Sequence, residues 1–117
     1  NPETLEILGS GMQVRDFSFV ADTVQALLLL ADTGVPGEVY NVASGEVTSV
    51  RTLAERILHL RGLIGRTKLT CSGSSWAGDA QRWEVDISKM RALGFHPEFT
   101  LADGLRRVIE WFDTSHS

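Results

Sequence analysis

The 117-residue sequence has little of three things: cysteine, excess positive charge and long apolar runs. Its one cysteine, Cys71, cannot form an internal disulfide and has no neighbouring zinc ligands, so we expect a reducing, cytoplasmic setting. A net charge of −4 and an isoelectric point near 5.3 argue against nucleic acid or an anionic membrane as a partner. The longest apolar run covers residues 26–31, whereas a membrane-spanning helix needs about 20 apolar residues.

Two signatures of hydride-transfer enzymes are also absent from the sequence. A dinucleotide-binding loop needs three glycines between a strand and a helix, but after Gly9 and Gly11 the third position holds Val14. The acid/base pair of short-chain dehydrogenases is Tyr-x-x-x-Lys, but the only tyrosine, Tyr40, is followed four residues later by Ser44. We therefore predict no catalytic residue and no cofactor-binding residue among these 117.

Structural roles account for the other titratable side chains. Asp22 stands where a helix N-cap belongs, and the spacing of Asp16 and Asp22 does not indicate a glycosidase pair. The histidines His59, His96 and His116 form no metal-ligand or triad pattern. We predict surface or packing roles for the histidines and no metal site.

The composition, 43% hydrophobic and 22% charged, is that of a folded domain, and the residue pattern alternates strands with helices. The first two predicted strands form a hairpin-like start, and Asp22, Ser49 and Thr100 are the predicted N-caps. Strand-like or extended segments are predicted at residues 5–8, 14–20, 38–43, 68–71 and 82–85, and helices at about 23–33, 50–58, 88–93 and 101–112. We expect one compact α/β fragment over residues 1–117.

Arg15 is the strongest candidate for a binding role. It lies in a strand-like segment between apolar positions, where a guanidinium is held rigidly enough to form a two-pronged hydrogen bond with a diphosphate. A structural ion pair with Asp16 or another acid is the alternative, and composition alone favours that alternative.

Residues 76–83 combine two tryptophans, an acid and a base on a Ser- and Gly-rich loop. Such a loop suits recognition of a sugar or nucleoside by stacking and by hydrogen bonds to hydroxyl groups. The alternative is that Trp76 and Trp83 fill core positions and Asp79 closes a turn. The residues themselves leave both interpretations open.

Several motifs in their order along the chain resemble the C-terminal third of extended short-chain dehydrogenases, the NAD-dependent epimerases and dehydratases of nucleotide sugars. The resemblance runs nearly end to end and rests on Gly9-Ser10-Gly11 with Gln13, Arg15-Asp16-Phe17, Val20 with Asp22, Val39-Tyr40-Asn41-Val42, Gly78-Asp79, Asp86 with Ser88-Lys89, Leu93-Gly94-Phe95, Pro97 with Leu101, and Gly104-Leu105.

The resemblance implies which residues bind substrate. In that family the arginine of the Arg-Asp-aromatic strand contacts the substrate diphosphate, which assigns this role to Arg15, with Gln13 beside it. The aspartate of the Gly-Asp loop reaches the ribose, which assigns that role to Asp79. The family usually has Arg-Pro just before Gly-Asp, but residues 76–77 are Trp-Ala, so we expect Arg82 as the substitute phosphate donor.

The resemblance also implies the fold and the activity. The expected fold is the C-terminal portion of a Rossmann-type enzyme, with mixed strands and about four helices, lacking most of the parallel sheet. The expected function is nucleotide-sugar binding for an epimerase or dehydratase, while NAD or NADP and the Tyr/Lys pair belong to an absent N-terminal region. The alternative is a non-catalytic binding or protein-interaction module derived from the same fold.

In that family, the segments matching residues 23–33 and 38–43 return to the large cofactor domain, and the parent enzyme is expected to be a homodimer. The chain begins with Asn1-Pro2 and not with methionine, so we expect a piece of a longer protein. Without the large domain, the returning segments would leave apolar surface exposed. We therefore expect the isolated chain to self-associate or rearrange.

Overall fold

The computed structural model describes residues 3–73 and 81–116, and these residues form short strands and four helices. The strands are β1 (Thr4–Ile7), β2 (Val14–Arg15), β3 (Thr48–Ser49) and β4 (Lys68–Cys71). The helices are α1 (Val20–Thr33), α2 (Val50–Leu60), α3 (Ser88–Ala92) and α4 (Leu101–Ser115). The predicted α/β class with about four helices is confirmed, whereas the single compact body stays a prediction, because the chain divides into two compact units.

The first unit comprises Asn1–Arg15 and Val47–Trp83. In it β1 pairs in parallel with β4, and β2 pairs antiparallel with β3. The predicted hairpin of the first two strands is therefore wrong. Gly9 and Gly11 both have positive φ, and the carbonyl of Gly11 accepts a hydrogen bond from Arg51 N at 2.9 Å. This turn directs the chain away from β1 and towards the start of α2.

Helix α2 begins where the sequence predicts. The Oγ atom of Ser49 accepts a hydrogen bond from Thr52 N at 3.1 Å, which satisfies one of the free amides of the first turn. Ala54 and Leu58, four residues apart on one side of the helix, are buried. Ser49 thus serves both as the last residue of β3 and as the cap of α2, which ties the helix to the strand that pairs with β2.

The second unit comprises Asp16–Glu46 and Glu84–Ser117. Helix α1 contributes Ala26 to its core, and α3 contributes Met90, which is fully buried. Gly94, with φ of 97°, follows α3 and turns Phe95 into the same core. Helix α4 is capped as predicted, because Thr100 Oγ1 accepts a hydrogen bond from Asp103 N.

The N-cap predicted at Asp22 is wrong, and so is the strand predicted to run to Val20. Helix α1 begins at Val20 with Phe19 as its N-cap, and β2 ends at Arg15. Phe19, one of the aromatic residues that suggested a strand, instead packs its ring on the Phe99 ring, with centroids 4.6 Å apart. Asp22 is buried one turn inside the helix, where its two carboxylate oxygens accept hydrogen bonds from Glu98 N and Phe99 N.

The strand predicted for residues 38–43 does not form. Within the described ranges this segment has no ladder partner, and side chains of the same unit hold it in place. Lys89 Nζ donates hydrogen bonds to Val39 O and to Glu38, and Tyr40 Oη accepts one from Val35 N. Tyr40 and Val42 also pack against the core, whereas Val39 is 79% exposed.

Helices α1 and α4 expose a set of large apolar side chains that we call the α1/α4 face. Its members are Val20, Val24, Leu27, Leu28, Val108, Trp111 and Phe112, all between 45% and 66% exposed. A groove of about 390 Å³ lies between Phe19 and Val20 on one side and Val108 and Trp111 on the other. None of the helices in the described ranges is long and apolar enough to cross a membrane.

Asp86 gives the second unit an acid-sensitive contact. Its Oδ1 accepts a hydrogen bond from Ser88 N at 2.9 Å, and hydrogen bonds from Ser88 lower the pKa of Asp86. A carboxyl group with a lowered folded-state pKa contributes stability above its unfolded-state pKa and loses it as the pH falls through the folded-state value. We therefore expect Asp86→Asn to flatten the fall in melting temperature below about pH 4, measured against Asp32→Asn, which removes an exposed carboxylate, as the control.

Candidate functional site

Strand β2, which carries Arg15, is held on both of its edges. On one edge Val14 lies opposite Ser49 and Arg15 opposite Thr48. On the other edge Val14 N donates to Gln81 O at 2.9 Å, and Trp83 N donates to Val14 O at 3.1 Å. The main chain at Arg15 therefore has little freedom to shift, which is the condition for aiming a guanidinium at a ligand.

The Arg15 side chain is half-buried, and its Nη1 atom donates a hydrogen bond to the carbonyl of Val14 at 2.8 Å. This bond folds the guanidinium against its own strand and limits the rotamers that it samples. A guanidinium has five N–H donors and can hydrogen-bond several acceptors at once. Partial burial also strengthens its interaction with an anion, because fewer water molecules screen the charge.

Arg82 and Trp83 enter the same part of the first unit from a distant point in the sequence. Arg82 forms a parallel bridge with Val14, and both Arg82 and Trp83 are exposed, Trp83 by 58%. Alternation along such a ladder puts Arg82 on the side of Val14 and Trp83 on the side of Arg15. The bridge thus brings Arg82 beside Val14, the neighbour of Arg15 in β2, and an exposed indole follows Arg82.

Gln13 is the most deeply buried of the predicted binding residues, with 6% of its surface exposed. Its Nε2 atom donates to Leu8 O at 3.0 Å, and its main-chain carbonyl accepts a hydrogen bond from Val50 N. Its Oε1 atom is buried without a hydrogen-bond partner among the described residues. Gln13 is therefore part of the packed support of β2 as well as a candidate binding residue.

The carboxyl ends of β1 and β4 lie side by side at this place. Gly9 N donates to Ser72 Oγ at 2.8 Å, and Gly73 N donates to Gly9 O at 2.9 Å. Ligands of open α/β sheets bind outside the carboxyl ends of parallel strands. Both ends of the segment predicted to recognise the ligand are thus anchored here, at Gly73 beside Gly9 and at Gln81 beside Val14.

Asp79, the predicted ribose contact, lies outside the described residues, as do Trp76, Ala77 and Gly78. Their proposed roles stay predictions. The contacts among Gly11, Arg51 and Cys71 were not predicted from the sequence. Arg51 Nη1 lies 3.7 Å from the Cys71 sulfur, and a methyl group built on Gly11 would meet that sulfur at 3.1 Å.

The same crowding decides whether the Gly9–Gly11 turn fits a dinucleotide. A pyrophosphate needs open space above glycine amides at the start of a helix. Here the space beside Gly11 is filled by Cys71, Arg51 and Ile7, and the strand β2 follows the turn. The Gly9–Gly11 turn therefore does not offer the open space that a pyrophosphate needs.

Asp16 and the histidines make contacts that do not involve a ligand. The two oxygens of Asp16 accept hydrogen bonds from Ser44 N and Gly45 N, both at 2.8 Å. His59 and His96 are exposed, and the ring of His116 stacks on Phe112 at 4.2 Å. In the part of the chain that the structure describes, no group of three or more acids, histidines or cysteines could hold a metal ion.

Comparison with known proteins points to one family. The model of the NAD dependent epimerase/dehydratase family matches residues 1–43. The low-salt glycan biosynthesis protein Agl12 of Haloferax volcanii is 36% identical over 112 residues, which are 96% of this chain and 36% of that protein. The chain thus spans about a third of the length of the curated relatives that it matches.

Solved structures agree in fold. A UDP-glucose 4-epimerase from Thermotoga maritima with UDP-glucose has a TM-score of 0.85 at 29% identity, over 97% of this chain and 36% of its own. MoeE5 in complex with UDP-glucose and NAD has a TM-score of 0.83 at 36% identity, over 98% of this chain and 38% of its own. These likenesses confirm the Rossmann-type fold class. The chain therefore matches a fragment of the NAD-dependent epimerase/dehydratase family, about a third of the length of the relatives and solved structures named above.

Proposed function

We propose that this chain is the nucleotide-sugar-binding portion of an NAD-dependent epimerase or dehydratase, with Arg15 as the main contact of the substrate diphosphate. The observation that carries the proposal is the position of Arg15: a half-buried guanidinium on a strand held at both edges, next to the carboxyl ends of β1 and β4. The complexes of the Thermotoga maritima epimerase and of MoeE5 with UDP-glucose support it, because both proteins share this fold.

In this proposal each residue has a distinct task. Arg15 donates two hydrogen bonds to non-bridging phosphate oxygens, the geometry for which a guanidinium is suited. Arg82, exposed and paired with Val14, adds positive charge from the neighbouring segment. The Trp83 indole covers a base or a sugar ring by stacking. Asp79 accepts a hydrogen bond from the ribose, and Gln13 adds a further polar contact.

The chemistry of the parent reaction begins with oxidation of a sugar hydroxyl by the nicotinamide cofactor. The Gly9–Gly11 turn does not offer open space for a pyrophosphate, and the sequence has no Tyr-x-x-x-Lys. We therefore propose that the cofactor and the acid/base pair belong to protein outside these residues, in a cytoplasmic enzyme that forms homodimers. The chain alone binds substrate and does not turn it over.

A non-catalytic binding or interaction module is the second candidate. The observation that favours it is Trp76, which stands where the family usually has a second phosphate-binding arginine. A module that lost catalysis would have no need for a complete diphosphate clamp. This candidate predicts a folded protein without affinity for nucleotide sugars.

Titration calorimetry with UDP-glucose, GDP-mannose and dTDP-glucose separates the two candidates. The proposed function predicts that one of the three binds the protein that carries this sequence, and that its nucleoside diphosphate binds as well. Affinity should weaken as salt rises, because the main contact is ionic. A folded protein that binds none of the three would support the second candidate instead.

The α1/α4 face predicts how the 117-residue chain behaves in isolation. The α1/α4 face exposes large apolar side chains on two helices, and exposed apolar patches drive association. We expect the isolated chain to form dimers or larger species in multi-angle light scattering. Leu27→Glu combined with Trp111→Glu should shift the chain towards monomer, because a charge on each helix opposes burial of the face.

The control is Gln25→Glu, which adds one negative charge at an exposed polar position of α1. It should leave the oligomer distribution unchanged. A monodisperse monomer of the unmodified chain over a wide range of concentration would contradict this prediction.

A further inference from the structure

The orientation of the Gln13 carboxamide is fixed by the chemistry of its partner. The carbonyl of Leu8 can only accept a hydrogen bond, so the side-chain atom 3.0 Å from it must be the nitrogen Nε2. The oxygen Oε1 therefore faces the other way. Because the main-chain carbonyl of Gln13 is bound to Val50 N, the residue as a whole has little freedom to turn.

Oε1 is left as a buried acceptor without a donor among the described residues, in a side chain that is 94% buried. Buried amide oxygens are nearly always hydrogen-bonded, so an exception requires an explanation. Burial of the apolar part of the side chain does not give one, since methionine would fill the same volume without a polar atom. An acceptor of this kind indicates a donor that arrives with a ligand.

The position of Gln13 indicates which part of a ligand could supply that donor. Gln13 lies one residue before β2 and two residues from Arg15, so the Cα atoms of the two residues are at most about 7 Å apart. If Arg15 holds a diphosphate, groups within that distance belong to the ribose, the base or the sugar at its two ends. The diphosphate itself carries no hydrogen-bond donor at neutral pH.

We propose that Gln13 Oε1 accepts a hydrogen bond from a hydroxyl or N–H group of the bound nucleotide sugar, outside its diphosphate. This inference rests on the proposed function. Since Oε1 is enclosed in the ligand-free chain, this hydrogen bond requires a rearrangement of the atoms around it. The missing hydrogen bond of the free state favours that change, because the atom gains its partner only in the bound state.

The test compares ligands that contain the donor with one that lacks it. UDP-glucose, GDP-mannose and dTDP-glucose, their nucleoside diphosphates and inorganic pyrophosphate are titrated into the wild-type protein and into Gln13→Met. We expect the variant to lose about tenfold in affinity for the nucleotide sugar that binds, with pyrophosphate affinity unchanged. A loss shared by the nucleoside diphosphate places the donor on the nucleoside, and a loss confined to the complete ligand places it on the sugar.

Ser10→Ala is the control for general damage to the turn, because it removes only the exposed hydrogen bond between Met12 N and Ser10 Oγ. It should leave all affinities within about twofold. Equal affinities of Gln13→Met and wild type, or a parallel loss for pyrophosphate, would overturn the inference while leaving the proposed function intact. Absence of nucleotide-sugar binding by the wild type would overturn both.

A second measurement does not depend on the variant being folded. The side-chain carbonyl carbon of Gln13 should shift in its carbon-13 resonance when the nucleotide sugar is added, because Oε1 gains a hydrogen bond. Inorganic pyrophosphate should produce no such shift. Equal shifts with both ligands would show that Oε1 senses occupancy of the phosphate site alone, which contradicts the proposal.

Discussion

Arg15→Ala is expected to lower the affinity for the nucleotide sugar by about 10- to 100-fold. A hydrogen bond to a charged group contributes about 1.5–3 kcal/mol, and each 1.4 kcal/mol corresponds to a factor of ten in affinity. Arg15→Lys should recover only part of the loss, since an ammonium group keeps the charge but cannot form the two parallel bonds of a guanidinium. Titration calorimetry on the wild type and both variants measures the effect.

The matched control is Arg66→Ala. Arg66 is an exposed arginine of the same unit, but it precedes β4 and so lies at the opposite end of that strand from Gly73. Its removal changes the net charge equally and should change affinity by less than twofold, roughly the effect of one screened surface charge. If Arg15→Ala and Arg66→Ala bind alike, long-range charge and not a direct contact explains the binding, and the proposed role of Arg15 is wrong.

Arg82→Ala should cost less than Arg15→Ala. Arg82 is exposed and is paired with Val14, so its side chain starts from the other side of the ladder from Arg15. If both guanidinium groups contact one diphosphate, the double variant will lose less than the sum of the two single losses or more than it, because residues that share a partner are coupled. Additive losses would mean that Arg82 acts independently of the phosphate bound by Arg15.

Local signals in the sequence were sufficient for the elements whose ends depend on neighbouring residues. Ser49 and Thr100 cap their helices because each has a hydroxyl three residues before a free amide, a relation visible in the sequence. The same reasoning failed at Asp22, where the partners Glu98 and Phe99 are more than 70 positions away. In a sequence, a carboxylate that caps a helix and a carboxylate that is buried inside the helix both precede an apolar stripe, so they look alike.

The candidate site divides in a similar way. Arg15 could be singled out from its strand-like surroundings and from the family resemblance. The supports that hold it could not, because they depend on pairing with Ser49 and with residues 81–83. Pairing between segments so far apart leaves no periodic pattern in a single sequence. For the same reason, the parallel pairing of β1 with β4 replaced the expected hairpin.

Asp22→Ala is expected to destabilise the second unit by about 2–4 kcal/mol. The change removes two hydrogen bonds from a buried carboxylate, to Glu98 N at 2.9 Å and to Phe99 N at 3.2 Å, and leaves both amides without that acceptor. These bonds join α1 to the segment that leads into α4, so their loss separates two parts of one unit. Asp22→Asn keeps one acceptor oxygen and should lose about half as much.

Urea unfolding followed by circular dichroism measures both variants, with Asp32→Ala as the control. Asp32 is an exposed carboxylate on the same helix, and its removal should change the free energy of unfolding by less than about 0.5 kcal/mol. Because Asp22 lies in the second unit and Arg15 in the first, Asp22→Asn should retain nucleotide-sugar binding at urea concentrations where it is still folded. Equal stability of Asp22→Ala and Asp32→Ala would show that the buried carboxylate does not hold α1 to residues 98–99.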